Sequence, residues 1–234
     1  MIGLSRSLKL DWLNAAARLR QENLPLTECK ARLTDLLSRE IKSSINVSKT
    51  REILLRVWIY DGAVTSLRQE AATLLKNSSD ALPIHWSLLL VTYPIFAKLC
   101  KIIGRLFELS EVITTRQIKR KLFDELGEGS TLYYSADKII STLKNFGALT
   151  VKRPGEFIST PQIISDEKII ALMIRAAMQI EKSSYYKVSE LGKFNELYPF
   201  SYRVPAESLA EEKIFTITNF GGEQVVILQS PNCL

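Results

Sequence analysis

The chain is 234 residues long and 46% of them are hydrophobic, enough to bury a core, which excludes a disordered polar chain. Its formal net charge is +6, unevenly spread: residues 1–60 and 98–153 each carry eleven basic and six acidic side chains, residues 154–234 seven and ten. A basic front with an acidic rear points to a polyanionic partner for the front, although a charge of this size also serves solubility alone. Cys29, Cys100 and Cys233 are odd in number and far apart, which excludes a disulfide framework and zinc spacing; they read as free thiols of a cytoplasmic protein.

The opening "MIGLSRSLKLDWLNAAARLR" is charged and amphipathic, without the apolar run of a secretory signal. Residues 1–80 read as a helical bundle. Leu10, Leu13, Ala17 and Leu19 fall near one helical face. "LPLTEC" restarts the chain with Thr27 as N-cap, and Leu33, Leu36, Leu37 and Ile41 continue at helical spacing. In "INVSKTREILLRVWIY" Ser48 is the expected cap. A short helix follows over 65–76, and "NSSDALP" is a loop. "ALPIHWSLLLVTYPIFA", residues 81–97, is uncharged, but Pro83, His85, Ser87, Thr92 and Pro94 interrupt it, and it is shorter than the ~20 residues a spanning helix needs. The segment reads as a buried helix kinked at Pro94. His85, alone in this stretch, reads as a packed, hydrogen-bonded residue.

From residue 110 the texture changes. Val112 and Ile113 are β-prone. A helix follows, capped by Thr114 or Thr115, with Ile118, Leu122, Phe123 and Leu126 inward. "GEGS" is a tight turn. In "GSTLYYSADKIISTLKNFGAL" Ser130 or Thr131 caps a helix whose apolar face is Leu132, Ala136, Ile139, Ile140, Leu143 and Phe146. The opposite face carries Tyr133, Tyr134, Asp137, Lys138, Ser141 and Lys144. Gly147 ends this helix, and "ALTVKRPGEFIST" is strand, Pro-Gly turn, strand. Residues 166–182 form an apolar helix, with short helices around 190–197 and 207–213. "IFTITNFGGEQVVIL" is a hairpin about Gly221-Gly222.

The predicted fold class is mainly α with small β-hairpins. Three segments are predicted: a helical bundle at 1–80, a second unit at 81–162, and helices plus a hairpin at 163–234. The order over 84–160 is helix, strand, helix, glycine-bearing turn, helix, strand, turn, strand, which resembles a winged helix-turn-helix DNA-binding domain. The resemblance implies that the helix starting near residue 130 enters a major groove. Thr131, Tyr133, Tyr134, Lys138, Ser141 and Lys144 would then lie on or beside the DNA. Thr115, Arg116, Lys119, Arg120 and Lys121 would clamp phosphates, and Lys152 and Arg153 would sit on the wing. That helix lacks arginine and has no Asn or Gln before Asn145, so backbone and shape recognition with weak sequence preference is expected. The C-terminal segment repeats the order of elements, which makes it a candidate second, reduced winged unit. Its acidic Glu207, Glu211 and Glu212 would repel phosphate and suit a partner protein instead.

Over residues 27–151 the layout also resembles the small BrxA-type proteins of BREX phage-defence systems: a helical bundle, the basic helix "SKTREILLRV", the apolar "LLLVTYPIFAKL", and a capped helix pair ending in "NFGALTV". The resemblance implies a DNA-binding accessory protein working among other proteins of a defence complex; it assigns no residue a role. No Gly-rich phosphate loop, GxSxG, HExxH or CxxC is present, so no catalysis, metal or cofactor is expected. Double-stranded DNA is the expected partner. Structured RNA is an alternative, because A-form helices also attract basic faces. The competing expectation from another class is a protein–protein adaptor docking through the tyrosine face and the acidic tail.

Overall fold

A computed structural model describes residues 3–78, 80–181, 183 and 185–229. Cys233 lies outside the described residues; Cys29 and Cys100 are buried free thiols. The N-terminal helices are α1 (Leu10–Gln21), α2 (Leu26–Ser38), α3 (Ser44–Trp58) and α4 (Thr65–Asn77). Two caps differ from expectation. Pro25, not Thr27, occupies the N-cap position of α2; its ring fixes φ and it has no N–H to satisfy. Ser43, not Ser48, caps α3 by accepting the Asn46 amide, so Ser48 falls inside the helix.

The C-terminal end of α3 is closed from another helix. Arg68 of α4 is buried, and its guanidinium donates to the carbonyls of Arg56, Val57 and Tyr60. The Arg56 and Val57 carbonyls are among the orphan acceptors a helix end leaves, and Tyr60 lies just beyond it. Burial lowers the Arg68 pKa to about 10. In the core, Trp58 Nε1 donates to His85 Nδ1 at 3.1 Å, and His85 Nε2 faces Asn14 Oδ1 at 2.8 Å. The lone histidine thus ties three helices together.

The apolar stretch forms α5 (Ala81–Thr92) and α6 (Pro94–Leu109), bent by 118° at Tyr93 rather than merely kinked. Proline at the first position of α6 loses no helical hydrogen bond, so the corner falls there. Leu88, Leu89, Leu90, Ile95, Phe96 and Leu99 are all fully buried. No single helix among the described residues is long and apolar enough to cross a membrane.

The chain is mainly helical with small sheets. Strands β1 (Ile113–Thr114), β2 (Leu149–Arg153) and β3 (Glu156–Ser159) form an antiparallel sheet ordered β1-β3-β2. Helices α7 (Thr115–Leu126) and α8 (Ser130–Asn145) lie between β1 and β2 in sequence. Then follow β4 (Gln162–Ile164), α9 (Glu167–Glu181), β5 (Tyr186–Lys187), β6 (Phe200–Tyr202), α10 (Ala206–Glu211), β7 (Phe215–Phe220) and β8 (Glu223–Leu228). The Gly221-Gly222 hairpin forms as expected, both glycines having positive φ. The helix expected at 190–197 is instead two 3-10 turns, Val188–Glu190 and Asn195–Leu197. The parallel pair β4–β6 has no local sequence signal.

The order β5-β8-β7 repeats the order β1-β3-β2. Helix α9 packs along α5, and its buried Arg175 meets Glu70 and Ser66 of α4. Trp86 Nε1 donates to Glu196 O at 2.9 Å. The buried apolar side chains of 1–80, 81–162 and 163–234 join one continuous cluster.

Candidate nucleic-acid interface

Thr114 starts α7 through a capping box. Its hydroxyl accepts the Gln117 amide at 3.1 Å, and its own N–H donates to Gln117 Oε1 at 2.7 Å. The next amide, Thr115 N–H, donates to Gly155 O at 2.9 Å. The β2–β3 turn is thereby pinned to the first turn of α7. Gly127, with φ of 79°, closes α7. Helix α8 begins at Ser130 with Gly129 in the N-cap position and no side-chain cap, so neither Ser130 nor Thr131 is the expected cap. At its other end the Gly147 amide donates to Lys144 O and the Ala148 amide to Leu143 O, with Gly147 at φ 72°. Only a residue tolerant of the left-handed region closes a helix this way.

The apolar face of α8 is inward: Ala136, Ile139, Ile140, Leu143 and Phe146 are buried and Leu132 is half-buried. Tyr133 and Tyr134 stay outside, 47% and 66% exposed. At about 100° per residue, Tyr133, Lys144, Asp137, Ser141 and Tyr134 follow one another across the outer face. Thr131 and Lys138 fall further round, toward an extended segment at residues 3–9. That segment departs from the helical bundle expected over residues 1–80, since no helix forms before Leu10 among the described residues. Leu4 and Leu8 are fully buried, Leu8 N–H donates to Thr142 Oγ1 at 2.9 Å, and Asn145 Nδ2 donates to Leu8 O at 2.8 Å. It straps α8 to the N-terminal helices. A Cβ on Gly3 would meet Ser135 Oγ at 2.4 Å, so a side chain there would require that hydroxyl to turn away. Its only sequence signal is the pair of leucines ahead of α1.

Lys119 departs from its expected place among solvent-facing phosphate clamps. It is buried, with Nζ 2.6 Å from Asp137 Oδ1 and 3.3 Å from the centre of the Tyr133 ring. Its ammonium meets two residues of α8, because Lys119 shares a flank of α7 with Phe123, whose ring lies near-parallel to Tyr133 at 6.3 Å. Tyr134 meets Tyr133 edge-on at 5.9 Å.

Arg116 and Arg120 are exposed and lie one turn apart, beside the Lys119–Phe123 flank. Lys121 is exposed but roughly 100° further round α7. Lys144, Lys152 and Arg153 are exposed and Lys138 is half-buried. The β2–β3 register shifts between Val151 and Arg153, so Lys152 sits in a bulge. Among the described residues no ion pair joins Arg116, Arg120, Lys121, Lys138, Lys144, Lys152 or Arg153 to a carboxylate, whereas Glu125 pairs with Lys98 of α6. Lys119 is thus tied up within the fold, Lys138 is half-buried, and Arg116, Arg120, Lys121, Lys144, Lys152 and Arg153 are exposed.

Comparison of the chain with protein-family models, with curated proteins and with solved structures returned no match.

Proposed function

We propose that this chain is a non-catalytic DNA-binding protein whose segment 81–162 is a winged helix-turn-helix, with α8 as the groove-facing helix and the β2–β3 turn as the wing. One observation carries the reading: Arg116, Arg120, Lys144, Lys152 and Arg153 are exposed and unpaired, and α8 keeps both tyrosines outside. The strand order β1-β3-β2 around two helices supports the same fold. Helix α8 carries no arginine and no Asn or Gln before Asn145, so affinity comes mainly from phosphates and sequence preference is weak. The repeated order β5-β8-β7 supports a second, reduced winged unit. Its short third helix is acidic, which suits a protein contact rather than a phosphate. The resemblance to BrxA-type proteins supports a place beside other proteins of a phage-defence complex.

Fluorescence anisotropy with a random duplex over a salt series tests the reading. Binding should weaken with salt, with a log–log slope of about 0.9 per phosphate neutralised. Absence of binding even at ~50 mM salt, where phosphate contacts are least screened, would discard the DNA surface in favour of an adaptor.

A further inference from the structure

Between the end of α7 and the start of α8 lies a solvent-open depression of about 490 Å³, lined by Phe123, Glu128, Gly129, Ser130, Tyr133 and Tyr134. It is within the ~300–1,000 Å³ range of small-ligand sites, and three of its six lining residues are aromatic. A phosphate clamp needs no aromatic cluster, and a rigid duplex edge does not fill a recess. We infer that this recess receives one unpaired nucleobase, extruded from the bound DNA and stacked against Tyr133 and Tyr134. The inference rests on reading the α7–α8 face as a DNA surface.

Ring geometry and charge select this occupant. The Lys119 ammonium already covers one face of Tyr133, with Asp137 fixing it there, so the ring is held in place before any ligand arrives. Tyr134 stands at 87° to Tyr133, forming a corner with one ring as wall and one as floor. Aromatic corners of this kind also accept alkylated ammonium groups. Here the Lys119 ammonium is neutralised by Asp137, and it is the exposed, unpaired Arg116 and Arg120 on the neighbouring flank that disfavour a second cation. A flat ring that arrives attached to phosphates suits both the aromatic surface and the cationic surround. Glu128 at the rim supplies a carboxylate acceptor for the exocyclic amine of adenine, cytosine or guanine.

The test uses the full chain and three probes built on one duplex: fully paired, with a single bulged 2-aminopurine, and with an abasic residue in the bulge. The bulged base should bind about five-fold or more tighter than the abasic bulge, the equivalent of stacking one base. Its fluorescence should be quenched on binding. Tyr134→Ala, at an exposed site, should abolish both the preference for the base over the abasic bulge and the quenching, each read as a ratio within the variant; its melting temperature checks that the fold is kept. Equal affinity for base and abasic bulge, with paired duplex still bound, overturns this inference and leaves the proposed function standing. Failure to bind any of the three probes overturns both.

Discussion

Lys119 Nζ lies 3.3 Å from the centre of the Tyr133 ring, and the contact makes one residue of the basic run part of the scaffold. A cation–π contact of this kind contributes about 0.5–2 kcal/mol, more when shielded from water. Asp137 completes the arrangement and cancels the charge. The outer face of α8 therefore carries an acid that is already neutralised, which removes the objection that a carboxylate sits where phosphates would approach.

Lys119→Gln should accordingly leave the salt slope of duplex binding unchanged, while costing about 1 kcal/mol of stability because half-exposed Asp137 loses its partner. Arg116→Ala with Arg120→Ala should lower the slope by about 1.8, at ~0.9 per phosphate. Salt titrations of both variants decide the point. A fall for Lys119→Gln as large as that for one arginine would mean that the ammonium leaves Tyr133 to meet DNA.

The sequence revealed some of this arrangement and concealed the rest for physical reasons. The 3.6-residue periodicity of α8 placed Ala136, Ile139, Ile140 and Leu143 inward and both tyrosines outward, because an amphipathic helix has one way to face a core. Thr114 and Thr115 are both candidates for the cap in the sequence, and the structure selects Thr114, with Gln117 completing the capping box. The place of Lys119 was not legible, because its role depends on Asp137 and Tyr133 of another helix, and a charge run looks solvated until its partners are known. The strap at residues 3–9 and the β4–β6 pair are long-range contacts with no periodic signature. Ser43 and Ser48 are equal as local caps; the structure selects Ser43.

His85 makes stability depend on pH. Burial lowers its pKa to about 3, below the ordinary value of 6.5. The folded chain holds the ring neutral, with Nδ1 accepting from Trp58 and Nε2 facing Asn14. Between those two values the unfolded chain binds the proton and the folded chain does not, so stability is full above about pH 6.5 and falls with acid. The slope should approach 1.4 kcal/mol per pH unit for one proton. Denaturant unfolding between about pH 7 and 5, above the usual carboxylate range, measures it. In His85→Gln that part of the slope should vanish, although the protein is less stable throughout. An identical slope in both proteins would assign the effect to other groups.

The strap gives a prediction about α8. Thr142→Val keeps the shape but removes the acceptor of the buried Leu8 amide, leaving that N–H unpaired. The expected cost is about 1–3 kcal/mol. Thr142→Ser keeps the hydroxyl and should recover most of it. Hydrogen exchange at Leu8 gives a local readout: the amide should be protected in the wild type and in Thr142→Ser, and exchange fast in Thr142→Val. Equal protection in all three would mean that the strap is held by Leu4 and Leu8 packing alone.

Gly104 reports how firmly the C-terminal segment is joined to the rest. A Cβ there would lie 2.2 Å from Asn195 O and 3.0 Å from Asn195 C, both backbone atoms of the 3-10 turn packed on α6. Alanine gains about 1 kcal/mol over glycine in a helix interior. It would also push the turn away by about an ångström, a packing strain that costs typically ~1–3 kcal/mol. The adjacent Glu196 carbonyl accepts from Trp86 Nε1 at 2.9 Å, so the same shift breaks a buried hydrogen bond and adds about 1–3 kcal/mol. The losses exceed the gain, and Gly104→Ala should be destabilised by about 1–5 kcal/mol. Because the buried side chains of all three segments belong to one cluster, tryptophan fluorescence and far-ultraviolet dichroism should report a single transition, shifted equally by the substitution. If only the fluorescence transition moved, the turn carrying Asn195 and Glu196 would be opening apart from the helices beneath it.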